Sequence, residues 1–277
     1  QAMKVFKDVG MTAADTKEAL KEAKLLSELG HEHIIRVFDA NVFELDSSSY
    51  GYFTMEYMPG GTLSDYLSGT TPSVNESVEI VKQICKGLAA AHKKVPPIVH
   101  RDVKPQNILV GYEGKKLQIR VSDFGLAKGV PNDLVPASCR GTEAFMAPEA
   151  FNGQCSAAVD VWAVGTTFYL LLAGHLPNGR EASEFNVEVG ADLDKILRRS
   201  MARDPNERYG FADEMLIDLE NWSPLGLEKV RQALRLRKEG VPLTRSIKLM
   251  EEAFAASPLL SEAYEKTLDA WRRGILM

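Results

Sequence analysis

The chain opens on alternation. Met3-Lys4-Val5-Phe6-Lys7 sets apolar against charged positions with the period of a half-buried strand. Over 13–30 the apolar positions move to helical spacing, with Ala19, Leu20, Ala23, Leu26 and Leu29 in phase and Gly30 as the stop. Two more strands are predicted, Ile34–Asn41 and Tyr52–Tyr57, parted by the polar turn Asp46-Ser47-Ser48-Ser49. Pro59-Gly60-Gly61 then interrupts the pattern. Beyond it the chain is mostly helical, most clearly at Leu63–Leu67, Ser73–Lys94 and Ala157–Ala173. A short β-rich patch lies between these helices, at Ile98–Val99, Ile108–Val110 and Gln118–Val121. A small strand-rich piece followed by a larger helical one predicts an α+β architecture of two lobes.

Composition narrows the class. With 277 residues, 45% hydrophobic and 26% charged, the chain can bury a sizeable core and is neither disordered nor a disulfide-stapled mini-protein. A net charge of −5 with interspersed signs gives no reason to expect nucleic acid or an anionic membrane as partner. Cys85, Cys139 and Cys155 are odd in number and form no C-x-x-C, so neither a disulfide framework nor a zinc site is favoured, and a reducing, cytoplasmic setting is expected. No signal peptide leads the sequence. The longest apolar run, the thirteen residues Val161–Ala173, falls short of the roughly 18 a membrane span needs and reads as a helix buried on all sides.

The chemistry concentrates in four motifs. His100-Arg101-Asp102-Val103-Lys104-Pro105-Gln106-Asn107 is followed sixteen residues later by Asp123-Phe124-Gly125, then by Gly141-Thr142 and Met146-Ala147-Pro148-Glu149. In this order and spacing they resemble the eukaryotic-type (Hanks-type) serine/threonine protein kinase family, over about residues 2–220. The resemblance implies a bilobal kinase-like fold and transfer of the γ-phosphate of ATP to serine or threonine hydroxyls of a protein substrate.

It also implies roles. Asp102 would accept the proton of the substrate hydroxyl, and Lys104 would reach the γ-phosphate. Asn107 and Asp123 would offer oxygens to Mg²⁺, or to Mn²⁺ in its place. Lys4, in Ala2-Met3-Lys4, matches the lysine that holds the α- and β-phosphates. Its expected partner is a glutamate of the next helix, Glu22 rather than Glu18 or Glu28, because Leu25, Leu26 and Leu29 then fall on the buried side. Met55-Glu56-Tyr57-Met58 resembles the hinge that binds adenine through its backbone, with Met55 as gatekeeper, Glu56 and Met58 as hinge contacts, and Ala2 and Leu109 sandwiching the base. His100 and Phe124 would be structural. Glu149 and Arg208 would form a buried ion pair, and Asp160 would anchor the catalytic loop. Arg101, expected to be buried, would receive a phosphate carried by Ser138 in the activation loop. Lys104 and Thr142 favour the serine/threonine branch over the tyrosine branch.

Two departures from the family pattern stand out. No G-x-G-x-x-G precedes Lys4, so the piece is either incomplete or dispenses with that lid. The stretch His175–Asp204 is also short, which trims a helix where many family members dock substrates.

The tail carries a different signal. Gly240 and Gly274 lie 34 residues apart and each follows a basic helix end. With Ser246, Ala253, Pro258, Tyr264 and Trp271, this resembles a tetratricopeptide repeat; two or three amphipathic helices flanking the larger lobe are the plainer alternative. The expected division is 1–57 small lobe, 58–222 large lobe and 223–277 helical extension. The extension is expected to bind a protein partner, with Tyr264, Leu268, Trp271 and Ile275 presenting an apolar surface. The alternative to an active kinase is an inert, kinase-like scaffold acting through this extension.

Overall fold

The computed structural model describes residues 1–7, 29–45, 48–124 and 143–275. Of the helix expected over 13–30, only Leu29 and Gly30 fall among them. Three strands, β1 (Ala2–Lys7), β2 (Val37–Leu45) and β3 (Ser48–Met55), form an antiparallel sheet in the order β1-β3-β2. The β1–β3 register sets Ala2 opposite Met55 and Lys4 opposite Phe53. The second strand starts later than the alternation predicts. Ile34 bridges to Val121, and the Ile35 N–H donates to the Val121 carbonyl at 2.9 Å, so these two residues tie the sheet to the larger lobe.

The larger lobe begins with α1 (Leu63–Gly69), held at its start by a capping box between Thr62 and Asp65. Helix α2 (Val74–His92) starts at Ser73, whose side chain accepts from the Glu76 N–H. No strand forms at Ile98–Val99. The Ile98 N–H instead donates to the Ala91 carbonyl and satisfies the end of α2. Strands β4 (Ile108–Glu113) and β5 (Lys116–Val121) pair as a hairpin. Helix α3 (Ala157–Ala173) matches its predicted bounds and is buried along most of its length, closed by Gly174 at φ 79°. Helices α4 (Ala191–Ser200) and α5 (Ala212–Glu220) complete the lobe. One core cluster runs through α2, β4, β5, α3, α4 and α5, and each fully buried aliphatic side chain in it contributes about 1.5–3 kcal/mol.

Three helices follow: α6 (Pro224–Lys238), α7 (Leu243–Ala256) and α8 (Leu260–Arg272). Gly240 and Gly274 both take the left-handed conformation just past the ends of α6 and α8, at φ 73° and 74°, so the 34-residue spacing marks two equivalent helix stops. The three helices share a second cluster built on Val230, Met250, Leu268 and Trp271. Here the expectation of an exposed apolar face is corrected. Leu268 and Trp271 are buried at 3% and 2% exposure, because the last turns of α8 pack on this cluster; Ile275 alone of the four is open to solvent. The extension is seated on α4. Ser257 donates its hydroxyl to Asp192 at 2.9 Å with both side chains buried, and Lys195 pairs with Glu262.

No helix among the described residues is long and apolar enough to cross a membrane.

Candidate active site

The loop between α2 and β4 carries the first motif, and a carboxylate far away in sequence shapes it. Asp160, fully buried on α3, accepts the backbone N–H of His100 and of Arg101, each at 2.7 Å. His92 bonds the same carboxylate through Nε2 at 2.9 Å. The anchoring expected of Asp160 is therefore present. His100 stands upright beside this anchor. Its Nδ1 accepts from the Asp102 N–H, so Nε2–H donates to the Ser122 carbonyl at 2.7 Å, and its ring lies 4.5 Å from that of Phe124. Arg101 and Asp123 adopt positive φ, 69° and 60°, a strained conformation for residues other than glycine that persists only where the surroundings over-determine it.

Asp102, Lys104, Asn107, Asp123 and Lys4 come together. The Asp102 Oδ2 receives Lys104 Nζ at 2.8 Å and Asn107 Nδ2 at 2.8 Å, while the same Asn107 nitrogen also donates to the Asp102 backbone carbonyl. The other carboxylate oxygen, Oδ1, is buried and has no hydrogen-bond partner among the described residues. Such an orphaned acceptor asks for a donor. Asp102 and Asp123 line one cavity of about 250 Å³. Lys4 reaches across from β1 and pairs with Asp123 Oδ2 at 2.6 Å, joining the small lobe to the loop after β5.

The segment after β3 meets β4 through a close backbone approach. The Gly60 N–H donates to the Val110 carbonyl at 2.9 Å, and a Cβ on Gly60 would lie 2.8 Å from that oxygen, so only glycine fits. Met58 is buried against Gly111. Ile108 and Val110 are buried at 0% exposure, whereas Leu109 between them is half-buried on the opposite face of the strand. Met55 ends β3 opposite Ala2. Glu56 donates its N–H to the Arg36 carbonyl and pairs its side chain with Arg120 at 3.1 Å.

Arg120 is a residue that sequence reasoning missed. Its guanidinium joins Glu56 to the Glu32 carbonyl, 88 residues away, and no local pattern announces such a link. The Glu149–Arg208 pair is present as expected, bidentate at 2.6 and 3.2 Å, with Arg208 also donating to the carbonyls of Ala158 and Ala202.

One expectation is corrected. Arg101 is exposed, not buried: Asp160 takes its backbone N–H while the side chain stands at the surface, so burial creates no demand for an anion. Glu22, Ser138 and Thr142 lie outside the described residues.

The donor set suits a nucleotide with a hard divalent cation. Asn107 and Asp123 offer oxygen atoms, Lys4 offers positive charge, and an acceptor stands orphaned beside them. No three His, Cys, Asp or Glu side chains among the described residues gather into an all-protein metal cage. Mg²⁺ needs none, since it keeps waters and takes phosphate oxygens.

A small sheet-containing lobe over a large helical lobe, with these side chains at their junction, defines a protein-kinase-like molecule. The protein kinase domain family matches residues 1–222, and the chain belongs to that family. It is 27% identical over 252 residues to the serine/threonine-protein kinase PrkC of Bacillus subtilis, covering 84% of this chain and 37% of that protein. It is 30% identical over 221 residues to the serine/threonine-protein kinase PknB of Mycobacterium leprae, covering 72% of this chain and 35% of that protein. A probable serine/threonine-protein kinase PknB of Lactococcus lactis is 29% identical over 219 residues, covering 72% and 34%. The chain thus spans about a third of the length of these curated relatives.

Proposed function

We propose that this chain transfers the γ-phosphoryl group of ATP to serine or threonine hydroxyls of protein substrates. The observation that carries the reading is the Asp102 carboxylate: one oxygen held by Lys104 and Asn107, the other buried without a donor among the described residues, in the cavity that Asp123 also lines. A substrate hydroxyl would supply that donor. Its oxygen attacks the γ-phosphorus, its proton passes to Asp102, and ADP leaves. Lys104, already within reach of Asp102, would neutralise the γ-phosphate oxygens. Lys4 would hold the α- and β-phosphates, oriented by Glu22. Asn107 and Asp123 would hold Mg²⁺ or Mn²⁺, which when bound neutralises charge on the phosphates. Adenine would lie between Ala2 and Leu109 against Met55, with the backbone of Glu56 and Met58 as its polar contacts.

The finer readings belong here as well. The chain divides at 57/58 and 222/223 into small lobe, large lobe and extension. Ser138, three residues before Gly141 in the sequence, would be the regulatory phosphosite whose phosphate Arg101 receives, with Thr142 as a second regulatory residue. The extension would be a tetratricopeptide-like piece that binds a protein partner, supported by the equivalent stops at Gly240 and Gly274.

The test is direct. The full chain is incubated with γ-labelled ATP, Mg²⁺ and a set of unstructured serine- and threonine-containing peptides, beside the Asp102→Asn variant. Label on serine or threonine in the parent and about 10²–10⁴-fold less in the variant, with nucleotide affinity unchanged, is the expected result. Nucleotide binding without transfer to any peptide favours the scaffold reading instead.

A further inference from the structure

The extension distributes its charge unevenly. From Lys229 to Lys248 it holds seven lysine or arginine residues against one acid, Glu239, although the whole chain carries −5. Lys229 near the start of α6 pairs with Glu252 near the end of α7, so these two helices run antiparallel. The connection between them, residues 239–242, is short and closed by hydrogen bonds. Gly240 takes the left-handed conformation, the Val241 N–H donates to the Leu236 carbonyl at 3.1 Å, and the Arg237 guanidinium donates to the Val241 carbonyl at 3.1 Å. Arg235 and Lys238 stand in the last turn of α6, and Arg245 and Lys248 in the first two turns of α7. At about 1.5 Å of rise per residue, all four lie within about 9 Å of this tip along the helix axes.

These four side chains are exposed, and none makes an ion pair or a hydrogen bond among the described residues. Carboxylates elsewhere in the extension are engaged: Arg272 holds Glu251 and Asp269, Lys229 holds Glu252, and Lys195 holds Glu262. Glu252 feels Lys248 one turn away but is bonded to Lys229. Helix electrostatics account for Arg235 and Lys238, which complement the negative end of α6. They do not account for Arg245. It stands in the first turn of α7, the positive end, and that turn contains no acid. A cation there works against the helix, and a local conflict of this kind marks a functional position.

We propose that this helical tip is a docking site for an acidic segment of a partner protein, a run of about five residues rich in aspartate and glutamate. Five extended residues span about 16 Å, enough to cross two helices packed about 8–10 Å apart. Each exposed charge pair is weak by itself, so recognition is collective over the four cations. The rest of the molecule favours a short segment over a nucleic acid or an anionic bilayer. With the four cations set aside, the remaining chain is more acidic than the overall −5. A long row of phosphates or a flat anionic surface would bring those carboxylates within a Debye length, about 8 Å, of like charge. The inference rests on the reading of the extension as a protein-binding piece and adds the chemistry of its partner.

The experiment uses the full chain and short fluorescent peptides carrying a run of glutamates, glutamines, lysines or leucines in a glycine–serine frame. A labelled DNA duplex and phosphatidylserine vesicles are measured beside them. By fluorescence anisotropy the glutamate peptide is expected to bind about 10-fold tighter than the glutamine one, a difference of about 1.4 kcal/mol, and to weaken as salt is raised. Arg235→Gln/Lys238→Gln/Arg245→Gln/Lys248→Gln should abolish that preference. Lys115→Gln/Lys116→Gln, at the exposed end of the β4–β5 hairpin, should leave it intact. Arg245→Gln alone should weaken binding while keeping or raising the thermal midpoint; a lowered midpoint would make Arg245 a structural cation and overturn the proposal. A preference that survives the fourfold variant, a preference lost in the Lys115/Lys116 variant, or tighter binding of DNA or vesicles than of the glutamate peptide also overturns it. If the glutamine, lysine or leucine peptide binds best and protects 224–272 from hydrogen exchange, the extension binds protein and only the acidic class falls. If no peptide binds, both readings fall.

Discussion

Asp160 and Arg101 lie 59 residues apart in sequence, yet the Asp160 Oδ1 accepts the Arg101 backbone N–H at 2.7 Å. That contact, with its twin to His100, holds the loop in which Arg101 adopts a positive φ and Asp102 turns toward Asp123. Asp160→Asn exchanges one acceptor oxygen for a donor facing an N–H. We expect a loss of about 1–3 kcal/mol for each backbone donor left without an acceptor, and a fall in phosphotransfer, because the strained loop loses the support that over-determines it. Urea unfolding and a kinase assay on the same preparation check this; wild-type stability with wild-type rate would refute the anchor.

Ser138 carries the second prediction. Incubation of the full chain with Mg²⁺ and ATP should add phosphate to Ser138, and Ser138→Ala should lower kcat several-fold. Mass spectrometry finding an unmodified Ser138 in a fully active preparation would remove the switch. The exposure of Arg101 makes the outcome informative, since an exposed arginine is satisfied by water without a phosphate.

Arg208 is the third. Its guanidinium is buried and shared between Glu149 and two carbonyls. Arg208→Met leaves Glu149 buried without its partner and should cost about 3–5 kcal/mol. Adding Glu149→Leu should recover part of that loss but not all, because the Ala158 and Ala202 carbonyls still lack their donor. A double variant no more stable than the single one would mean that the charge pair itself contributes little.

Asp192 gives a pH dependence. Burial between α4 and the extension raises its carboxyl above the ordinary range; hydrogen bonds from Ser257 and the Leu193 N–H partly oppose this, and the neighbouring Asp194 adds to it. A carboxyl raised on folding binds its proton more tightly in the folded state. Its contribution to stability is therefore largest at low pH and declines as pH rises from about 4, the unfolded range, through the higher folded value. Asp192→Asn keeps an acceptor for Ser257 and cannot ionise. Its stability relative to wild type should climb between pH 4 and 7, as measured by thermal midpoints across that range. A difference that stays flat would show that Asp192 ionises as readily in the folded chain as in the unfolded one.

Trp271 tests the extension. It is buried in the second cluster, so Trp271→Ala should cost about 3–5 kcal/mol there. Hydrogen exchange should show lost protection over 224–272 and retained protection in α2 and α3. Equal loss in both regions would mean that the extension and the large lobe unfold as one unit.

What could be read from the chain alone is what neighbouring residues decide together. The bounds of α3 follow from its largely apolar composition, and those of α2 from helical spacing after Ser73. The motif from His100 to Asn107 is contiguous, and the Asp102–Asn107 bond within it is a local one. Sequence spacing also identified the equivalent stops at Gly240 and Gly274, because a left-handed helix end is a property of one residue.

Tertiary structure decided the rest. Whether Arg101 is buried, whether Leu268 and Trp271 face solvent, and which strand Ile34 joins depend on elements far along the chain. An amphipathic helix advertises an apolar face but not the partner that covers it; for α8 that partner is α6 and α7 of the same chain. Arg120 reaches Glu56 and Glu32 through pairings with no sequence period. Arg180, Arg198 and Arg203 come to line one cavity from positions up to 23 residues apart in the chain. Long-range contacts are set by the packing of whole elements, and a linear pattern carries the period of one element at a time.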